Sequence, residues 1–130
     1  MIVLLTTLIG CGSDRIPTYP VAGHVRFEDG EPVRTGTVEL SSNEFGTTAV
    51  GSIQEDGSFV LGTYTGNDGA AEGDHRAIVV QIVVNDGTFQ HTRDHGRRVP
   101  SHFSDYDTAA LTVHVDAKPE NHVTIVLPPP

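Results

Sequence analysis

Apolar and polar side chains alternate with a period of two along much of the chain, most cleanly from Pro20. Val21, Gly23, Val25 and Phe27 fall on one side, and Ala22, His24, Arg26 and Glu28 on the other. Successive side chains of a strand point to opposite faces, so this pattern predicts a half-buried strand over 20–28. Asp29-Gly30-Glu31-Pro32 turns the chain, with Gly30 supplying the positive φ that such a corner needs. A second strand is expected over 36–40. Two more, over 48–53 and 58–62, flank Gln54-Glu55-Asp56-Gly57 and read as a hairpin turned at Gly57, since Asp-Gly is a strong hairpin signal. Phe59 and Leu61 share a face that excludes Val60.

Residues 65–74 hold three glycines and no large apolar side chain, which predicts a loop. The run Ile78-Val79-Val80-Gln81-Ile82-Val83-Val84 is dense in β-branched residues and predicts a strand over 75–84, covered on both faces with Gln81 at the edge of the cover. A long polar stretch spans 85–107. Strands over 111–116 and 122–127 are then expected to close the fold as a hairpin around residues 117–120, setting Asp116 opposite His122. No ten-residue stretch carries a capped 3.6-residue period. About seven strands between Tyr19 and Leu127 make an all-β sandwich the expected architecture. Pro128-Pro129-Pro130 lacks amide hydrogens and reads as a tail, 128–130, that stops the last strand.

Composition narrows the function classes. The 130 residues suit one domain, and 14 Gly with 8 Pro favour turns and short strands over long helices. A net charge of -9 argues against a nucleic-acid partner, which needs clustered Lys and Arg to neutralise phosphates. One Cys excludes an internal disulfide framework and a thiolate zinc cage. No cofactor is expected.

The N-terminus has its own pattern. Met1 to Ile9 carry no charge and are too few to cross a bilayer as a helix, which takes about 20 residues. Their length suits the apolar region of a secretory signal. Leu8-Ile9-Gly10-Cys11 resembles a bacterial lipobox, the recognition site of lipoprotein signal peptidase. That resemblance implies a signal segment over 1–10, lipidation of Cys11, a tether over 11–18 and a domain over 19–127. It implies a membrane partner held through acyl chains, because two or three chains anchor stably where one is marginal. No Lys or Arg precedes the apolar run, so the expectation includes a true start upstream of Met1. The plainer alternative is a first strand or disordered tail of a cytosolic protein in which Cys11 is incidental.

A second resemblance covers nearly the whole mature chain. Its residues are Tyr19-Pro20-Val21, Gly23, Val25, Phe27, Asp29-Gly30 and Pro32, then Gly36-Thr37-Val38, then Gly51, Ile53, Asp56-Gly57, Phe59 and Leu61-Gly62-Thr63-Tyr64. Asp68-Gly69-Ala70, Gly73, Ile78-Val79-Val80, Leu111-Thr112-Val113 and Val115 continue it. In order and spacing they resemble the planctomycete carboxypeptidase-regulatory-like lipoproteins. The family implies a seven-stranded transthyretin-like (prealbumin-like) β-sandwich, a location on the cell envelope, and an accessory or binding role without peptidase activity. The sequence departs from that pattern at His75, where the family has an aromatic strand opener, and at Ala109-Ala110, which replaces Ser-Gly.

Candidate chemistry is sparse, and no metal site is expected. His91 and His95 have the spacing that unites two ligands on a helix face, but they lie in a Gly- and Arg-rich loop, and a solvated loop is the simpler reading. Asn67-Asp68-Gly69 with Glu72 and Asp74 gathers acidic oxygens without the alternating spacing of a Ca²⁺ loop. Ser101-His102 and Ser104-Asp105 offer hydrolase residue types without a nucleophile elbow. Arg93, Arg97 and Arg98 form the densest basic cluster and are expected to pair with the domain's own acids rather than with envelope anions. The leading expectation is a lipid-anchored, non-catalytic envelope module with a structural or binding role and an envelope protein as possible partner. A carbohydrate- or peptide-binding accessory domain is the first rival, and a small hydrolase the second.

Overall fold

A computed structural model describes residues 15–82 and 95–129. The lipobox with Cys11, His91, Arg93 and the polar residues 85–94 lie outside the described residues. The chain is all-β and sandwich-like. Its strands are β1 (Thr18–Tyr19), β2 (Val21–Phe27), β3 (Thr37–Ser42), β4 (Thr48–Ser52), β5 (Ser58–Val60), β6 (Ala70–Ala71), β7 (Gly73–Val80), β8 (Leu111–Val115) and β9 (Asn121–Leu127). Three form one sheet in the order β5-β2-β9, and four form another in the order β4-β3-β7-β8. β1 and β6 make a two-stranded clip, with Thr18 paired to Ala71 and Tyr19 to Ala70.

The period-two pattern sorts dry from wet side chains. Along β2, Val21, Val25 and Phe27 are buried and His24 is exposed. Leu40 of β3, Val79 of β7, Val115 of β8 and Ile125 of β9 join them, so the inward residues of both larger sheets form one hydrophobic cluster. Phe59 and Leu61 lie in that cluster while Val60 is exposed. Gly23 sits where β2 meets β9. A Cβ there would run into the Val123 carbonyl and come within 2.7 Å of the Phe59 ring, so only glycine lets the two strands close.

Pairing differs from the expectation in two places. The corner at Gly57 forms, with φ +87° and the Gly57 amide donating to the Gln54 carbonyl at 2.9 Å. Its flanking strands do not make one hairpin, however. β4 pairs with β3 and β5 with β2, so the corner steps from one sheet to the other, with a single bridge between Val50 and Gly62. The closing hairpin is likewise absent. β8 pairs antiparallel with β7, whereas β9 runs parallel to β2 in unbroken register from Val21↔Asn121 to Phe27↔Leu127.

Asn121 explains the second departure. It is 4% exposed, and its Oδ1 accepts the Asp116 amide at 3.0 Å. Its Nδ2 donates to the carbonyls of Asp116 at 3.0 Å and Pro20 at 3.2 Å. Its backbone amide also donates to Pro20, at 3.0 Å. A buried amide side chain must satisfy these groups locally, and doing so pins the 116–120 turn to the start of β2. Asp116 therefore does not face His122, which pairs with Glu120 at 2.7 Å.

The strand expected over 75–84 begins at Gly73 and ends at Val80. Ile78, on its outer side, is buried, and the cover comes from the polar stretch itself. Ser101–Ser104 forms a 3-10 turn and Tyr106–Ala109 a short helix, α1, both packed on β7 with Phe103 and Ala109 buried. Asp105 caps α1 by accepting the Asp107 amide at 2.8 Å. The Tyr106 hydroxyl donates to Glu39 at 2.9 Å, and the Arg76 guanidinium lies 5.2 Å from the Tyr106 ring centre. Burial, reinforced by the Glu39 contact, holds the Tyr106 hydroxyl well above its ordinary pKa. Gln81 secures the same cover: its Nε2 donates to the Thr35 carbonyl at 3.3 Å and its Oε1 accepts the Val99 amide at 2.9 Å.

Candidate functional site

The residues that the sequence offered for chemistry are taken up by the fold. Asp68 accepts the amides of Thr63 at 2.7 Å, Tyr64 at 3.1 Å and Thr65 at 3.2 Å, closing the 63–68 loop. Burial alone would raise its carboxyl, but these three donors outweigh that and hold it below the usual 3.8. Gly69 follows with φ +87°, packed so tightly that a Cβ would strike the Tyr19 carbonyl. Asp74 points elsewhere, its Oδ1 lying 2.7 Å from His114 Nδ1. The other ring nitrogen of His114 is 3.1 Å from Asp116, so the imidazole is clamped by carboxylates from two sides. The hydrogen bond to Asp74, helped by attraction to both carboxylates, lifts His114 above its ordinary 6.5.

Among the described residues no three His, Cys, Asp or Glu side chains converge on a metal-binding point. Asp68 and Asp74 make separate contacts, and His95 lies in the segment leading to Arg97. Ser101 and Ser104 are exposed, and the Ser104 hydroxyl donates to the Ser101 carbonyl at 2.6 Å. The His102 ring stacks on Phe103, 4.0 Å between centroids, and its carbonyl accepts the Thr108 hydroxyl. These groups stabilise the short turn and helix. His75 is 1% exposed within β7, and its Nε2–H donates to the Ala71 carbonyl at 2.8 Å. It fills core volume and ties β6 to β7.

A mostly apolar cleft lies at the opposite end of β2. β2 and β9 finish in register at Phe27 and Leu127. Beyond them the two backbones part. One enters the Asp29-Gly30 turn, with Gly30 at φ +96°, and the other enters Pro128-Pro129, which has no amide hydrogen to continue the ladder. A cavity of about 600 Å³ opens between them, floored by Phe27 and Leu127 and walled by Pro100, Pro128 and Pro129. Drug-sized ligands occupy pockets of this kind.

Arg97 forms one side of this cleft. Its guanidinium lies 4.4 Å from the Phe27 ring centre and bonds Asp29 and, at 2.7 Å, Glu31. The Asp29 carboxyl is held below its ordinary value chiefly by that Arg97 hydrogen bond. Arg97 therefore pairs with the domain's own acids. Glu28 and Arg98 complete the rim. Reading the chain locally missed this cleft because its parts come from three separate stretches. The available signal was the triple proline directly after an apolar strand end, which was read only as a stop.

No family model, no curated protein and no solved structure matches the chain.

Proposed function

We propose that the protein is a lipid-anchored module of the cell envelope, carried on acyl chains at Cys11 and acting by binding or by structural support rather than by catalysis. The observation that carries this reading is the position of the only cysteine. Cys11 closes Leu8-Ile9-Gly10-Cys11, and the first strand among the described residues begins at Thr18. An anchor, a short tether and a β-domain then follow one another without a gap. The strand arrangement is compatible with a transthyretin-like sandwich of the carboxypeptidase-regulatory-like type, since three and four strands make up the two larger sheets. The turn glycines of that resemblance serve the scaffold, Gly30 and Gly57 at positive φ and Gly23 and Gly51 at close strand contacts.

Feeding expressing cells a radioactive fatty acid tests the anchor. Label on the wild-type chain, and none on Cys11→Ala, is expected, with the variant moving from the membrane to the soluble fraction. An unlabelled wild type, or equal label on both, would falsify the anchor.

A binding role for the domain, as an accessory to an envelope protein, is favoured over pure scaffolding by the Phe27–Leu127 cleft. A platform needs no apolar cavity of that size.

A further inference from the structure

We infer that the cleft between the ends of β2 and β9 binds a short apolar peptide through both of its free termini, in the manner of a dipeptide. This deepens the binding role proposed above.

The cleft presents apolar carbon over most of its surface, from Phe27 and Leu127 below and the pyrrolidine rings of Pro100, Pro128 and Pro129 at the sides. Such a lining rewards an apolar body and gives a sugar's hydroxyls few partners. Specificity then falls to the charges at the rim, of which there are four. Asp29 and Arg97 are already engaged with each other, and Arg97 with Glu31 as well. Their charges are spent within the fold.

Glu28 and Arg98 differ. Both are exposed, and neither side chain makes a hydrogen bond or ion pair among the described residues. The mouth of an apolar cavity therefore carries one uncommitted charge of each sign. A simple anion would be drawn to Arg98 and repelled by Glu28, and a simple cation the reverse. A ligand with an ammonium, a carboxylate and apolar side chains between them meets all three features together. A peptide of two apolar residues with free ends is the plainest molecule of that description.

Calorimetric titration of the full chain with Leu-Phe, acetyl-Leu-Phe and Leu-Phe amide tests this. Leu-Phe should bind, and blocking either end should weaken binding about fivefold, the scale of one exposed charge pair. In Arg98→Gln the amide should bind as well as the free acid, while acetylation still weakens binding. In Glu28→Gln the acetylated peptide should match the free amine, while amidation still weakens binding. Both positions are exposed, and unchanged thermal melting would confirm that the variants fold. No heat from Leu-Phe at millimolar concentration overturns the proposal. So does a capping penalty that persists in its matched variant. Titration reads the cleft and fatty-acid labelling reads Cys11, so either proposal can fail while the other stands.

Discussion

The two ends of β2 are built on opposite principles. At the Val21 end, Asn121 is buried and bridges Asp116 and Pro20, and the half-buried Asp68 gathers three amides beside the β1–β6 clip. At the Phe27 end, the strands stop, prolines take over and a cavity is left open, with its charges on the surface. Buried, satisfied polar groups are costly to disturb and hold a single arrangement. Exposed ion pairs and open apolar volume cost little to rearrange. One end fixes the scaffold and the other is free to take a ligand.

The sharpest way to break this contrast is Asn121→Ala. It leaves the Asp116 amide and the Asp116 and Pro20 carbonyls without their side-chain partner and empties a buried position, which should destabilise the fold by about 3 kcal/mol. Urea unfolding reads this as a lower midpoint at unchanged slope, and a loss below about 1 kcal/mol would remove Asn121 from its assigned role.

Asp68→Ala should come next, at about 2 kcal/mol at neutral pH. Because the folded carboxyl lies below its unfolded value of 3.8, its contribution is fully present above that value and fades as pH falls through the folded pKa. Wild type and variant should therefore converge in stability as the pH falls well below 3.8. A gap that stays constant into strong acid would show that the carboxylate form is not what holds the loop.

Arg97→Ala should have the smallest effect, a urea midpoint barely shifted from wild type, because the Asp29 and Glu31 pairs are exposed. Should Arg97→Ala prove as damaging as Asn121→Ala, the two ends would not differ in the way described.

These details mark where the sequence was legible. β-branched density found β7, the longest strand, and alternation found β2, because it records which side chains are dry. It could not show which strand lies beside which, since a hairpin and a crossing between sheets demand the same alternation. The choice for β9 rests on Asn121, a polar residue at a strand's first position that no periodicity flags. The helix at Tyr106–Ala109 spans four residues, too short to display a 3.6-residue repeat. Ala110, just after it, has φ +52°, the left-handed region that glycine enters more easily, and nothing in the local pattern announces it. The cleft joins residues near 27, 98 and 128, and no local window contains all three.

The parallel partnership of β2 and β9 also governs how this polypeptide reaches its native state. Val21 pairs with Asn121, so the three-stranded sheet cannot close until synthesis has passed through β9, a hundred residues further on. Contacts so distant in sequence form slowly.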